Sequence, residues 1–230
     1  MPLNRAQANA EIRAYHLATG NLWFLLNSNI KMLTDSTGDI MLRLLITLTL
    51  SLGLISACAL SPQVVDIYPQ VKVSGPAYGQ GRQVDVQVVD KRDSQILGSR
   101  GGVYDSSSTI TINNNLQSAV LATAQDGLKQ LGFNGNSGAQ PATMVITINQ
   151  LTYDTKQKNL LYYVDLEASM SVTTTIAGNV HTGNYKTQGN HQFGQAPDAA
   201  KNASILNKLI SDTIDRALSD NNLAKFILNN

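Results

Sequence analysis

The residue with the most distinctive chemistry in this chain is Cys58, its only cysteine. A single thiol excludes an internal disulfide and any zinc cluster built from several cysteines. A thiol is also a nucleophile, which can accept a diacylglycerol group when it lies next to a membrane. Ile55, Ser56 and Ala57 stand directly before it, and small residues let the backbone fit a peptidase active site. The spacing predicts cleavage before Cys58 and lipidation on it.

An apolar segment leads up to this cysteine. It starts at Met41, Arg43 supplies a positive charge, and residues 44–57 carry no charge. This is the pattern of a signal peptide, and its end resembles the bacterial lipobox. A transmembrane anchor is disfavoured because fourteen helical residues rise about 21 Å, against about 30 Å of hydrocarbon. A buried core helix is disfavoured because the segment has no polar face.

The position of the signal divides the chain into four predicted parts. Residues 1–40 would bury the signal behind a polar extension, so we expect a start codon assigned too early, with Met41 as the initiator; a genuine extension is the alternative. Residues 41–57 are the signal peptide, and residues 58–82 form a lipidated, Gly- and Pro-rich tether. Residues 83–230 are the predicted periplasmic α+β domain.

The charge of the chain argues against nucleic acid as a partner. Charged residues make up 14% of the sequence, and the formal net charge is +1. Residues 58–230 carry equal numbers of basic and acidic side chains, without the basic stripe that neutralises phosphates.

Few other residues have types and spacing suited to catalysis or metal binding. Asp165 and Glu167 fall on the same face of a predicted strand, and paired carboxylates can act as acid and base, although such charges usually serve solubility. His181 and His191 share a face, but a zinc site needs three or more converging ligands. We therefore predict no catalytic residue, no cofactor and no metal site.

A glycine-rich loop is the candidate interaction site. Asp90 ends the predicted strand 84–90, and Arg92, Gly98 and Arg100 follow it. An arginine among glycines can clamp a carboxylate or a phosphate. It can equally hold the loop in place by donating to carbonyl oxygens or to Asp90, and this structural role is favoured.

Hydrophobic periodicity predicts the elements that position these residues. Strands are predicted at 84–90, 142–153 and 160–176, with a return strand to Phe193 after a Gly178-Asn179 turn. A further short strand is suggested at Thr109–Ile112. Apolar residues change phase after Ile148, which predicts a β-bulge, and alternation around Pro69 is compatible with an edge strand within the tether. Helices are predicted at 115–131 and from Pro197, followed by an apolar C-terminal turn. The predicted fold class is α+β: an antiparallel sheet of about four to five strands with two amphipathic helices on one face.

Two stretches make residues 41–230 similar to a known family. One contains Val88, Asp90, Arg92, Leu97, Gly98, Arg100, Gly101 and Gly102, and the other is the C-terminal helix with its final turn. With the lipobox, they resemble the YajG-like family of uncharacterised bacterial lipoproteins. The resemblance implies an outer-membrane-anchored protein that faces the periplasm and has no assigned activity.

The expected function follows from the anchor and from the lack of a catalytic set. Ala59, not Asp, follows Cys58, and by the enterobacterial sorting rule this indicates the outer membrane. We expect a lipid-anchored, non-enzymatic binding or accessory module whose envelope partner is not identified by the sequence. One alternative is an enzyme acting on cell-wall fragments through Asp165, Glu167 or Arg100. The other is a structural lipoprotein that self-associates through edge strands.

Overall fold

The structure is a computed structural model that describes residues 60–73, 76–102 and 105–230, apart from the side chain of Asp105. Cys58, the lipobox residues before it, the signal peptide and the predicted extension at 1–40 all lie outside the described residues. The account of the fold below therefore concerns the segment that follows the predicted lipid anchor.

Seven strands and three α-helices occur in this described part of the chain. The strands are β1 (Gln63–Val65), β2 (Val84–Asp90), β3 (Ile96–Ser99), β4 (Thr109–Ile112), β5 (Ala142–Lys158), β6 (Leu161–Ile176) and β7 (Asn179–Phe193). The helices are α1 (Leu116–Gln130), α2 (Ala199–Leu218) and α3 (Asn221–Asn229), and a 3-10 turn spans Asp105–Ser107. The α+β class is as predicted, but the strand count is higher than the four to five expected.

All the strands belong to one sheet, in the order β1-β4-β3-β5-β6-β7, with β2 also paired to β5. The long hairpins β5–β6 and β6–β7 are antiparallel. The pairs β1–β4, β2–β5 and β3–β5 are parallel. The sheet is thus mostly antiparallel, whereas a wholly antiparallel sheet was predicted. The difference arises in part because two short strands, β2 and β3, pair with β5 in the parallel direction.

Two tight turns join the three long strands. Ala177 and Gly178 link β6 to β7, and Asn159 and Leu160 link β5 to β6; all four have positive φ. Two-residue turns with both φ values positive match the right-handed twist of a hairpin. The β6–β7 turn therefore lies one residue earlier than the predicted Gly178-Asn179 pair.

The predicted bulge lies in β5 between Ile148 and Gln150. The extra residue restores the phase, so that Leu151 and Tyr153 are buried on the same face as Met144, Ile146 and Ile148. The sheet therefore keeps one continuous apolar face, and that face carries the core.

The helices cover this face. In α1 the predicted stripe is buried, and Asn115 caps the helix by accepting from the Ser118 N–H at 2.8 Å. Asp198 caps α2 in the same way through the Lys201 N–H. The C-terminal turn is a helix, α3, whose Leu223 and Ile227 are buried. No helix within the described residues combines the length and the apolar character needed to span a membrane.

Of the stretch in which an edge strand was considered possible, Val65 ends the edge strand β1, whereas residues 66–73, which we call the strap, form no strand. They run along α1 and α2, and side chains of the helices and their caps bond the backbone of the strap. The bonds are Ile67 N–H to Asn114, Tyr68 N–H to Asn207, Gln70 N–H to Ser211, Val73 N–H to Gln130, and the Pro69 and Val71 carbonyls to Thr123 and Gln130. The packed domain therefore begins before residue 83, which is the domain start that we predicted from the composition of the sequence.

The strap provides the first stability prediction. Asn114 both accepts from the Ile67 N–H at 2.8 Å and donates to the Ile67 carbonyl at 2.7 Å, and Ile67 is fully buried. Asn114→Ala should lower the free energy of unfolding by about 1–3 kcal/mol, because the backbone groups of Ile67 lose their partners. Urea unfolding of the full chain measures this.

Asn113→Ala is the matched control. Asn113 is the neighbouring asparagine, and among the described residues the partner of its side chain is Asp66, through an exposed bond. Its loss should change the free energy of unfolding by no more than about 0.5 kcal/mol. Equal effects of the two substitutions would show that the strap is not held through Asn114.

Candidate functional site

The structure separates the four residues of the predicted interaction site into two places. Asp90 and Arg92 form an ion pair at the end of β2. Arg92 Nη2 lies 2.8 Å from Asp90 Oδ2, and Arg92 Nε lies 3.0 Å from Oδ1. The Arg92 backbone N–H also donates to Oδ1, at 3.1 Å. The carboxylate therefore fixes the guanidinium in a bidentate geometry.

A cavity of about 170 Å³ opens beside this ion pair. Its lining residues, which define what we call the Arg92 cavity, are Asp90, Arg92, Gln95, Ile112, Asn114, Asn115, Leu116 and Gln117. The end of β2 and the first turn of α1 thus form its walls. Gln95, Asn115 and Gln117 are exposed at its rim.

Gly98 lies elsewhere, on β3, where it pairs with Tyr153 of β5. A Cβ atom at this position would stand 1.7 Å from the Tyr153 carbonyl oxygen. Only glycine allows β3 to approach β5 this closely. Gly98 does not line the Arg92 cavity.

Arg100 is buried, with 8% of its surface exposed. Its Nη1 donates to the Ser61 carbonyl at 2.8 Å, and its Nη2 donates to the Pro197 carbonyl at 3.2 Å. The Pro197 carbonyl also accepts from Gln63 at 3.3 Å. Arg100 therefore ties the first described residues of the chain to the start of α2 through carbonyl oxygens.

A second buried polar contact supports this arrangement. The Tyr153 hydroxyl donates to Asn202 Oδ1 at 2.7 Å, and Asn202 Nδ2 donates to Gln63 Oε1 at 2.7 Å. Burial raises the pKa of Tyr153 to about 12. The hydroxyl thus stays protonated and keeps donating at neutral pH, which is a structural role.

The paired carboxylates lie on the opposite face of the sheet. Glu167 alternates with the buried Leu166 and Ala168 of β6, so it points away from the helices. Hydrogen bonds from Lys186, at 2.8 Å, and Gln188, at 2.9 Å, lower the pKa of Glu167. Asp165 has the same orientation, and Arg100 is on the helix side. These three residues do not converge on one site.

The histidines of β7 contact aromatic rings. His181 stacks on Phe226 with ring centroids 5.5 Å apart, and His191 stacks on Phe193 at 6.0 Å. Within the described ranges, no three side chains of His, Cys, Asp or Glu lie close enough to share a metal ion.

A larger cavity, of about 400 Å³, lies near the C-terminal helix and includes Tyr78, Arg82 and Leu228 in its lining. Two of its polar groups are already bonded to backbone carbonyls. Arg82 Nη1 donates to the Gln140 carbonyl at 3.0 Å, and the Tyr78 hydroxyl donates to the Leu218 carbonyl at 2.7 Å. Burial raises the pKa of Tyr78 to about 12, so this hydroxyl also remains a donor.

The α1 residues of the Arg92 cavity were not predicted as site residues. The asparagine run at 113–115 indicates a helix cap, and that expectation is correct for Asn115. What the sequence does not show is that β2 and the start of α1 meet. That proximity depends on the parallel pairing of β2 with β5.

Comparison with known proteins gives a consistent family match. A family model described as uncharacterised lipoprotein matches residues 69–228. The chain is similar to "Uncharacterized lipoprotein YajG" of Escherichia coli K12, with 24% identity over 184 residues that cover 78% of this chain and 94% of that protein. The protein of the same name from Escherichia coli O6:H1 matches to the same extent.

Among solved structures, the fold is similar to that of protein XCC0632 from Xanthomonas campestris. The TM-score is 0.51 and the identity is 11%, with 71% of this chain and 97% of that chain covered. At this identity the likeness concerns the fold alone.

Proposed function

Because the chain belongs to the YajG-like family of uncharacterised lipoproteins, we propose that it is anchored by lipid on Cys58 and works as a non-enzymatic binding module of the cell envelope. Anchoring follows from the thiol, the small residues before it and the apolar segment 44–57. Two lipid signals suffice for stable membrane attachment, and processing at Cys58 would supply more than one acyl chain.

The proposed location is the outer membrane, with the domain facing the periplasm. Ala59 supports this, because an Asp at that position is the signal for retention in the inner membrane by the enterobacterial rule. The equal numbers of basic and acidic residues in 58–230 also make attachment through the lipid, rather than through charge attraction to anionic headgroups, the simpler arrangement.

A binding role is supported by the state of the ionisable groups in the Arg92 cavity. Asp90 accepts three hydrogen bonds from Arg92, which occupy both carboxylate oxygens. A carboxylate held in this way is a poor general base, since a base must be free to take a proton from a substrate. The guanidinium, in contrast, retains a donor to offer.

The single observation that carries the binding proposal is that donor. Arg92 Nη1 is buried and has no hydrogen-bond partner among the described residues. A buried unsatisfied polar group costs about 1–3 kcal/mol, and a bound ligand is one way to remove that cost. The alternative of an envelope enzyme requires Asp165, Glu167 and Arg100 in one pocket, and these residues do not converge.

Site-specific photo-crosslinking in the source bacterium tests the binding proposal. A photo-reactive amino acid placed at Gln95, on the exposed rim of the cavity, should give discrete adducts with an envelope component. The matched control is the same amino acid at Gln125, an exposed position on α1 outside the cavity lining. An identical adduct pattern at both positions would contradict the proposal, because it would report random neighbours only.

A further inference from the structure

The Arg92 cavity offers hydrogen-bond donors and has few acceptors left. Only 8% of the Arg92 side chain is exposed, and its Nη1 lacks a partner while Nε and Nη2 are held by Asp90. Bidentate pairing with Asp90 prevents Arg92 from turning away to find another acceptor. A ligand oxygen is therefore the group that would complete its hydrogen bonding.

The first turn of α1 adds backbone donors to the same cavity. The Ser118 and Ala119 N–H groups bond to Asn115. For the N–H groups of Leu116 and Gln117, no acceptor occurs in the part of the chain that the structure describes. Helix α1 has 15 residues and no acidic residue in its first turn. The positive end of its macrodipole is thus not compensated by the helix's own side chains.

The carboxylate of Asp90 and the side-chain oxygens of Asn114 and Asn115, which line the cavity, are already in use. Both oxygens of Asp90 accept from Arg92. Asn114 Oδ1 accepts from the Ile67 N–H, and Asn115 Oδ1 accepts from the Ser118 N–H. Arg92 pairs with the charge of Asp90, and the N-terminus of α1 adds a positive field on the same side of the cavity. The complementary ligand is rich in acceptors and negatively charged.

We propose that the Arg92 cavity binds an oxyanion, a carboxylate or a phosphate group, through Arg92 Nη1 and the N–H groups of Leu116 and Gln117. This assignment rests on the proposed binding function and gives its ligand chemistry. A volume of about 170 Å³ corresponds to several waters at about 30 Å³ each. It accommodates one such group at the end of a larger molecule, whose remainder would pass between Gln95 and Gln117.

Titration of the full chain in detergent micelles with inorganic phosphate, and separately with acetate, tests the assignment. Ionic strength is held constant with chloride, and amide resonances are followed by NMR. We expect saturable shifts that are largest for Leu116 and Gln117. Saturation with phosphate alone, with acetate alone or with both supports the site and tells which oxyanion it takes. Saturation with neither would overturn it.

Gln117→Glu is the decisive variant. A carboxylate in the first helical turn favours the helix, so the fold should be retained. The added negative charge should repel the anion and weaken binding at least about tenfold. Gln125→Glu makes the same change two turns further along α1, on an exposed position, and should leave the affinity unchanged. Unchanged affinity in Gln117→Glu, or an equal loss in both variants, would overturn the proposal.

The outcome is separable from that of the proposed function. If neither ion binds but crosslinks at Gln95 remain specific, the module binds a partner by other chemistry. If the ions bind but crosslinks at Gln95 and Gln125 are identical, the oxyanion site stands and the envelope partner does not.

Discussion

Replacing Cys58 with Ser is expected to abolish the incorporation of labelled palmitate into the protein. A hydroxyl is a much weaker nucleophile than a thiolate, so the diacylglycerol group would not be transferred and the signal peptidase would have no modified substrate. Each buried CH₂ of an acyl chain contributes about 0.8 kcal/mol to membrane attachment, so the loss of all acyl chains removes the whole proposed anchor. Autoradiography and the mass of the product measure the effect.

Ser56→Ala is the control for this substitution. It keeps a small residue two positions before Cys58, so labelling and processing should continue. The Cys58 variant should accumulate as an unlabelled precursor that still contains residues 41–57. Palmitate incorporation in the Cys58→Ser variant at the level of the parent chain would contradict the proposed anchor.

Among glycine-to-alanine substitutions in the predicted glycine-rich loop, Gly98→Ala is expected to cause the largest loss of stability. The new Cβ would lie 1.7 Å from the Tyr153 carbonyl oxygen and 2.8 Å from its carbonyl carbon. Both are backbone atoms, which cannot rotate out of the way, so β3 and β5 would have to separate. Overpacking of this kind costs about 3 kcal/mol. Urea unfolding of the full chain, followed by circular dichroism, measures the change.

Gly194→Ala provides the comparison. A Cβ atom at Gly194 would meet nothing within 4 Å, so the free energy of unfolding should change by no more than about 0.5 kcal/mol. If both glycine variants unfold at the same urea concentration as the parent chain, β3 does not approach β5 as the structure describes.

The long elements of the fold follow from sequence periodicity because they are long and amphipathic. In β6, the alternation from Val164 to Ile176 repeats often enough to define one buried face. In α1, the stripe from Leu116 to Leu128 and the cap at Asn115 fix both face and start. The bulge near Ile148 was also predicted. The apolar residues before and after Ile148 are out of phase, and one extra residue in the strand returns them to the same face of the sheet.

Of the short strands, β4 coincides with the strand suggested at Thr109–Ile112, whereas β1 and β3 were not predicted as separate strands. β1 has three residues and β3 and β4 have four each, too few to establish a period of two. Their place in the sheet comes from pairing with distant strands, such as Gly98 with Tyr153. The strand count was underestimated for this reason.

The strap differs from the predicted edge strand for a different physical reason. Alternation around Pro69 is genuine, since Val65 and Ile67 are buried. However, the backbone groups of the strap bond to side chains of the helices and their caps instead of to another strand. Sequence periodicity reports which side chains are buried, and it does not report where backbone hydrogen bonds go.

The candidate site was predicted only in part. Asp90 and Arg92 line the cavity, whereas Gly98 and Arg100 hold the fold together. The motif places these four residues close in sequence, but the turn of β3 toward β5 carries the second pair away. The α1 residues of the cavity come from about twenty-five positions further along the chain, and only the tertiary structure unites them with Arg92.

The most direct test of the account is the intact mass of the protein extracted from the outer-membrane fraction. We expect a chain that begins at Cys58 and carries a diacylglyceryl group and an amide-linked acyl chain. A mass that corresponds to a chain with residues before Cys58 and without lipid would contradict the anchor, and with it the placement of the Arg92 cavity at the periplasmic side of a membrane.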